Sequence, residues 1–297
     1  MKGFFTIACG KDEYYQMASN LLKSYKLHNA DGAPFAILCD KENEYTKEFD
    51  KVVIINNPTK SYLDKITALS IPPYDENIFI DADCLCYRNI QDFWEDIPEQ
   101  GVSCYGRILD ENSEEGWFKK SDLQEKYREL IQYSISLHSG IIMFRDDEIT
   151  RKIYLDCLDI IKNYNNNTFK IFKQPADEPV LALSMAINRC CPVENKKSAY
   201  LFYPMAKRIS CNILKGSLSY MEFNGNWVKN VGLIHWQNIN IKKPHYMSEV
   251  IQLNEKSTTK QRVKIAAVYI KDFFNQCKIE YIPWIKYEIN TKILRKK

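Results

Sequence analysis

Asn77–Tyr87 reads NIFIDADCLCY, an apolar run that two aspartates interrupt two positions apart. The apolar part predicts a buried strand over Asn77–Asp81, and ligands of open α/β sheets bind beyond the carboxyl ends of such strands. Asp81 and Asp83 can therefore approach one hard divalent cation together, and burying both carboxylates without a cation would be costly. The stretch predicts a Mg²⁺ or Mn²⁺ site for diphosphate oxygens, whose charge the metal would neutralise as a nucleoside diphosphate departs.

Short apolar runs alternate with segments of helical periodicity before this stretch. Three further strands are predicted, at Gly3–Cys9, Pro34–Asp40 and Lys51–Asn56. Two helix faces lie between the strands, made of Met17, Leu21, Leu22 and Tyr25, and of Tyr62, Leu63, Ile66 and Leu69. Continuous apolar strands between helices indicate an α/β fold with a mostly parallel, Rossmann-like nucleotide-binding sheet. No G-x-G-x-x-G is present, which disfavours a dinucleotide enzyme.

The second half of the chain is less regular. The polar segment Leu109–Ser121 predicts a surface loop, and Ser134–Arg145 contains a further strand. Helices are predicted at Glu148–Lys162 and Ala176–Asn188, and shorter strands around Ser219–Phe223 and Val231–His235. Because the sequence has neither a repeat nor a Gly/Ser-rich linker, one interlocked domain is expected rather than two independent ones.

Composition excludes several classes of protein. The 297 residues are 45% hydrophobic and 27% charged, which excludes a disordered chain. A net charge of +3 argues against a nucleic-acid binder. The ten cysteines are irregularly spaced and lack a Cys-x-x-Cys pair, which favours buried free thiols over disulfides or structural zinc. The N-terminal apolar stretch is too short for a signal peptide, so a cytoplasmic location is expected.

The charge is unevenly distributed along the chain. Residues 260–297 contain ten Lys and Arg and three Asp and Glu, a net charge of +7. Residues 1–259 contain 31 Lys and Arg and 35 Asp and Glu, a net charge of −4. This predicts a catalytic domain over residues 1–259 and a basic, aromatic, helical segment over 260–297. We expect one face of that segment, made of Val263, Ala266, Ile270, Phe273 and Cys277, to pack on the domain. Pro283–Lys297 is predicted to contact an anionic membrane, peripherally on the inner face of the plasma membrane.

The region around the two aspartates resembles a known family. Lys65-Ile-Thr-Ala-Leu, followed by Tyr74-Asp75-Glu76-Asn77-Ile78-Phe79-Ile80-Asp81-Ala82-Asp83, is similar to the K…L…Y-x-x-(apolar)₄-D-A-D block of GT-A glycosyltransferases. It is closest to family 8, the group of glycogenins and bacterial lipooligosaccharide galactosyltransferases. The resemblance continues in order over about residues 3–246. It implies a GT-A fold, a UDP-sugar donor, transfer with retention, and Lys65 and Ala82 at the nucleotide.

Two segments extend the resemblance on the nucleotide and sugar sides. Ala8-Cys9-Gly10-Lys11-Asp12-Glu13-Tyr14 resembles the family's A-(x)-D-x-x-Y turn, which holds uracil and ribose. Backbone amides at a strand end can read a base edge while an aromatic ring stacks on it. The nucleotide-binding candidates in this segment are therefore Ala8, Cys9, Gly10, Asp12 and Tyr14. His138-Ser139-Gly140 is similar to the family's N-S-G segment near the donor sugar, with histidine in place of asparagine.

Two more segments carry the remaining candidates. Ala176-Asp177-Glu178 resembles the family's D-Q helix start, which implies that Asp177 contacts sugar hydroxyls. Glu178 replaces the family's glutamine, and a carboxylate there can stabilise an oxocarbenium-like centre or act as nucleophile. Gly232–Trp236 followed by Lys243-Pro244-His245 is similar to the closing H…K-P-W motif, although the spacing is two residues longer. His235 is thus a metal ligand candidate and Lys243 a phosphate candidate, while His245 has no assigned role.

Together these residues predict metal-dependent transfer of a sugar from a UDP-sugar to a hydroxyl of a saccharide or lipid-linked saccharide in surface glycan synthesis. Three alternatives stay open. An inverting GT-A transferase would use Asp177 or Glu178 as general base. A nucleotidyltransferase would open with a Gly-rich basic loop, which ACGKDEYY matches poorly. A non-catalytic sugar-nucleotide-binding protein is disfavoured because all three metal ligand candidates are present.

Overall fold

A computed structural model describes residues 1–164, 169, 174–196, 198–237 and 240–276. The described strands are β1 (Lys2–Ala8), β2 (Phe35–Cys39), β3 (Lys51–Ile54), β4 (Glu76–Ile80), β5 (Cys84–Cys86), β6 (Val102–Leu109), β7 (Ser134–Arg145), β8 (Tyr200–Phe202), β9 (Arg208–Asn212), β10 (Ser217–Met221), β11 (Trp227–Val228) and β12 (Leu233–His235). The described helices are α1 (Asp12–His28), α2 (Asp64–Ala68), α3 (Glu125–Arg128), α4 (Glu148–Lys162), α5 (Asp177–Ile187), α6 (Pro244–Asn254) and α7 (Thr258–Gln276).

The central sheet has six strands in the order β3-β2-β1-β4-β7-β6. β1 pairs in parallel with β2 and β4, and β2 with β3, whereas β7 runs antiparallel to both of its neighbours. The carboxyl ends of β1, β2 and β4 therefore meet at one edge of the sheet. The predicted α/β class with a mostly parallel sheet is confirmed, and each strand predicted in the first half is present.

Alternating side chains cover the two faces of this sheet. Phe5 and Leu38 face one core together with α2, α4 and α5, while Phe4 and Ile37 face the other together with α1. All five residues of β2 are buried, which matches its continuous apolar sequence. Because side chains alternate along a strand, both faces of the sheet need a helical cover, and that burial is the main stabilising contribution.

Strand β7 changes register where it passes the sheet edge. Cys104 of β6 pairs with Ile142, but its neighbour Tyr105 pairs with His138. The backbone between them bulges at Ser139 and Gly140, and Gly140 accepts a hydrogen bond from the Asp81 amide at 3.0 Å. Bulges of this kind re-aim side chains next to functional sites. This one turns Ser139 and Gly140 toward the end of β4.

A second sheet, β5-β12-β8, lies directly after the Asp-Ala-Asp sequence. β12 pairs antiparallel with β5, and His235 stands opposite Cys84 in that register. Trp236, Tyr87 and Tyr246 form a third apolar cluster beneath this sheet, joining it to α6. The antiparallel pairing thus brings His235, from late in the chain, beside Cys84, which directly follows Asp83. A third sheet has the order β11-β10-β9, and Leu218 and Tyr220 of β10 belong to the same apolar cluster.

Helix α7 corrects one prediction. The helix forms and packs on α6, but the face expected to be buried is open, because Val263 is 65% exposed, Ile270 57% and Phe273 60%. The half-buried residues Ile265 and Val268 lie on another face. Cys277 and Pro283–Lys297 lie outside the described residues, and the domain boundary at residue 260 stays a prediction.

The cysteines of the described chain are free thiols. Seven of them are buried, at Cys9, Cys39, Cys84, Cys86, Cys104, Cys157 and Cys190, as the apolar runs around them predicted. Among the described helices, none combines the length and the apolar character that a membrane span requires.

Candidate metal and nucleotide site

Three metal ligand candidates meet at the carboxyl edge of the central sheet. Asp81 and Asp83 follow β4, and β12 brings the imidazole of His235 to them, with Nε2 3.1 Å from Asp83 Oδ1 and 3.5 Å from Asp81 Oδ2. One ligand atom from each residue lies within 4.8 Å of the others. Two carboxylates and one imidazole are a donor set that suits Mn²⁺, and Mg²⁺ through the carboxylates. The residues present therefore fit the predicted divalent cation.

The electrostatics of this group show that its charges depend on each other. Burial raises the pKa of Asp81, despite the nearby Lys65 and His235. The pKa of Asp83 is lowered, because the imidazole of His235 outweighs the effect of burial. Burial alone would lower the pKa of His235, but Asp83 and Asp81 together raise it. A bound cation would replace the imidazolium proton as the charge that balances the two carboxylates.

Lys65 ties the metal group to helix α5. Its ammonium lies 2.9 Å from Asp81 and 2.9 Å from Asp177, with only 11% of the side chain exposed. It also donates to Ser139 Oγ at 3.2 Å. Burial acts to lower the pKa of Lys65, but Asp177 and Asp81 raise it above its ordinary value. The ammonium is thus a fixed positive charge beside the metal ligands, where the resemblance predicts a phosphate contact.

Tyr200, which was not predicted as a site residue, contacts the imidazole of His235 at Nδ1. Its hydroxyl lies 2.8 Å from His235 Nδ1, so that Nε2 is the imidazole nitrogen turned to the carboxylates. The backbone of Gly140 presses on both, since a Cβ added there would lie 2.4 Å from the Tyr200 hydroxyl and 2.8 Å from His235 Nδ1. Partners of this kind orient a ligating histidine. No short motif joins Tyr200 to His235, and only the pairing of β8 with β12 reveals the contact.

The predicted sugar-side residues form a second, connected group. Ser139 donates through Oγ to Asp177 at 2.5 Å and through its amide to Glu178 Oε1 at 3.1 Å. His138 Nδ1 lies 3.2 Å from the same Glu178 oxygen. Asp177 and Glu178 begin α5, where carboxylates complement the helix dipole. The predicted catalytic and sugar-binding residues are thus brought together, although their roles stay predictions.

The turn after β1 lies at the same edge of the sheet. Gly10 has a φ of +88°, and its amide points to both oxygens of Asp40 at 3.2 Å. Tyr15 donates its hydroxyl to the same carboxylate. Burial, reinforced by nearby carboxylates, raises the pKa of Cys9 to about 12. Asp40, at the end of β2, was not predicted as a site residue, although a carboxylate directly after a buried strand is a usable signal.

The remaining nucleotide candidates lie around this turn and at α6. Asp12 is the first residue of α1, Tyr14 is half-buried beside the apolar clusters, and Ala8 ends β1 as a buried residue. Lys243 precedes α6 and lies 5.8 Å over the ring of Tyr203, which packs on Trp236 at 5.1 Å. Tyr203 thus links Lys243 to Trp236, the residue that follows His235. The role of Lys243 at the phosphate stays a prediction.

Comparison with known proteins places this fold among glycosyltransferases. No protein-family model matches the sequence, and no curated protein matches it significantly. The galactosyltransferase LgtC, solved with donor and acceptor sugar analogues, has a TM-score of 0.52 at 13% identity, covering 87% of this chain and 98% of LgtC. An active-site glutamine-to-glutamate mutant of LgtC has a TM-score of 0.50 at 15% identity, covering 80% and 88%.

The bifunctional glycosyltransferase WbbM is also similar, with a TM-score of 0.54 at 10% identity. The similar region covers 90% of this chain and 51% of WbbM. At these identities the similarity establishes the fold. The predicted GT-A class, and the resemblance to family 8 at the level of fold, are therefore confirmed.

Proposed function

We propose that this chain is a metal-dependent glycosyltransferase. It moves a sugar from a nucleotide-sugar donor, a UDP-sugar by the resemblance, to a hydroxyl of a saccharide or lipid-linked saccharide. The observation that carries the proposal is the Asp81–Asp83–His235 group beside the buried ammonium of Lys65. It lies where open α/β sheets bind nucleotides, in a fold shared with glycosyltransferases.

The residues around this group divide the work between the two parts of a donor. Asp81, Asp83 and His235 would hold the cation, which when bound supplies positive charge to the diphosphate. Lys65 adds a preorganised charge next to it, and stabilisation of developing charge is commonly the largest catalytic contribution. The base would lie against the turn at Gly10, whose amide donates to Asp40 and so fixes the turn.

The sugar would lie against the start of α5. Asp177 orients it there, and Glu178 offers the carboxylate that can act at the anomeric carbon. The resemblance implies retention of configuration. An inverting transferase with Asp177 or Glu178 as base predicts the opposite anomer, so the anomeric configuration of the product, read by NMR, distinguishes the two.

Donor binding tests the proposal directly. We expect Mn²⁺ to enable binding of UDP by the wild-type chain, and a panel of UDP-sugars with Mn²⁺ to reveal slow hydrolysis of one donor. Asp83→Asn should abolish the Mn²⁺-dependent part of binding and turnover. Asp146→Asn is the matched control, because Asp146 pairs with Arg151 at the opposite end of β7. No stabilisation by any donor, or normal turnover by Asp83→Asn, would contradict the proposal.

We further propose that the C-terminal segment brings the enzyme to a lipid-linked acceptor. The support is the open apolar face of α7, which includes Tyr269, Phe273 and Phe274, and the basic, aromatic sequence that follows. Each basic residue near an anionic bilayer contributes up to about 1 kcal/mol. Deleting Pro283–Lys297 should abolish flotation with anionic vesicles while donor hydrolysis continues. Unchanged flotation would count against the membrane contact.

A further inference from the structure

His138 and Glu178 form a contact that the resemblance to family 8 does not account for. His138 belongs to β7 just before its bulge, and Glu178 is the second residue of α5. The two side chains meet with Nδ1 3.2 Å from Oε1. Glu178 is 19% exposed and His138 39%, so the pair is accessible to solvent rather than buried in the core.

The hydrogen bonds to Glu178 are unequally shared between its two oxygens. Oε1 accepts from the Ser139 amide at 3.1 Å and faces Nδ1 of His138. Among the described residues, none donates to Oε2. Because a carboxylate only accepts, the imidazole nitrogen that faces it carries the hydrogen, and the neutral ring then has its free lone pair on Nε2.

The imidazole is itself held in place. The ring of Phe202 lies 4.0 Å from it, centroid to centroid. Phe202 ends β8 and also lies 5.6 Å from the ring of His235. The same aromatic side chain thus contacts the imidazole of the metal group and the imidazole that faces Glu178.

We propose that His138 is a positioning residue for Glu178, not a direct contact of the sugar. Nδ1–H of His138 and the Ser139 amide fix Oε1, which leaves Oε2 as the one oxygen free to face the anomeric centre. The inference rests on the proposed function, and it deepens the role of Glu178 within it. A carboxylate without these contacts would rotate away from the anomeric centre and lose activity through misorientation, since small misplacements of a catalytic group are costly.

The tautomer of His138 tests the pair without reference to activity. The chain has four histidines, so the ¹⁵N spectrum of selectively labelled protein is simple, and His138→Asn assigns the signal. At about pH 8, where imidazole is ordinarily neutral, we expect the Nδ1–H form, and Glu178→Ala should shift it toward Nε2–H. An Nε2–H tautomer in the wild type would overturn the proposal.

Kinetics test the consequence for turnover. His138→Leu removes the donor and should lower kcat of donor hydrolysis by about 10- to 100-fold, the range for losing one hydrogen bond to a charged group. His138→Asn is the matched control, because its side-chain amide can replace Nδ1–H, and it should stay within about threefold of wild type. Binding of UDP with Mn²⁺, and the thermal unfolding midpoint, should be unchanged in both.

A double variant separates positioning from a purely structural role. In a Glu178→Gln background the carboxylate charge is gone, so His138→Leu should add less than about a threefold further loss. Equal losses for the leucine and asparagine variants, or a full additional loss in the Gln background, would overturn the proposal. If the wild type acts on no donor, the proposed function fails, and the ¹⁵N spectrum still decides whether the pair exists.

Discussion

Replacing Lys65 by methionine is the sharpest test of the electrostatics at this site. The ammonium makes two contacts of 2.9 Å with carboxylates, one with Asp81 and one with Asp177. At an effective dielectric constant near 20, each contact contributes about 5–6 kcal/mol of Coulomb energy. The desolvation of three buried charges offsets most of that gain. Removing the central partner alone leaves two carboxylates uncompensated, and we expect Lys65→Met to lower the free energy of unfolding by about 3–5 kcal/mol.

The contribution of Lys65 is complete at neutral pH. Its folded-state pKa is raised above the ordinary value of 10.5, so its stabilisation is present below that value and is lost only as pH rises through the raised pKa. Urea unfolding at pH 7, followed by circular dichroism, measures the loss. Mn²⁺ should restore stability to Lys65→Met more than it stabilises wild type, since the cation can compensate the carboxylate of Asp81 that has lost its lysine partner.

The control for this measurement is another lysine in an ion pair. Lys126 lies 2.5 Å from Asp159, but both side chains are nearly half exposed, at 45% and 48%. Such pairs contribute little, so Lys126→Met should change the free energy of unfolding by less than about 1 kcal/mol. A loss as small as that for Lys65→Met would refute the reasoning, because it would mean that water screens the two carboxylates in the folded state.

Three further changes have defined outcomes. Gly140→Ala puts a Cβ against Tyr200 and His235, so it should cost about 1–3 kcal/mol and weaken Mn²⁺ binding in calorimetric titration; unchanged affinity would contradict the contact. Asp40→Asn weakens the hydrogen bonds from the Gly10 amide that fix the turn after β1. We therefore expect a lower affinity for UDP, with metal binding unchanged. Burial raises the pKa of Glu249 above the ordinary value of 4.5, so the stability that this group contributes falls as pH rises from that value through the raised pKa. Between pH 5 and pH 8, urea unfolding should therefore show a more negative change in stability for wild type than for Glu249→Gln; an equal change in both would contradict the reasoning.

The sequence predicted the parallel part of the fold because each of its strands is an uninterrupted apolar run. Ala36 and Ile37 point to opposite faces of the sheet and both are buried. A strand that is buried on both sides therefore consists of apolar residues throughout. Strand β8 is apolar, but its three residues are too few for a periodic pattern, and β9 is only partly buried. The exposed face of α7 was mispredicted because periodicity shows that a face is apolar but not what lies against it.

The candidate site divides in the same way. Asp81 and Asp83 were predictable because both lie directly after one strand, and their spacing alone brings them together. Tyr200 was not, because its contact with His235 depends on the pairing of β8 with β12. The opposition of His138 and Glu178 depends on the register shift in β7. Residues that meet through long-range pairing leave no local pattern in the sequence.

The register shift in β7 also separates two mechanical regions of the site. Residues 141–145 of β7 pair with β4, whereas Ser134–His138 pair with β6 alone, so the latter form a two-stranded arm that extends past the central sheet. Side-chain packing holds this arm, since Ile135 and Leu137 belong to the buried core. Asp81 stands at the end of a central strand, but His138 stands on the arm. The two groups of the site are therefore held by different means: strands paired on both sides of β4 hold the segment that carries Asp81, whereas side-chain packing of the arm holds His138.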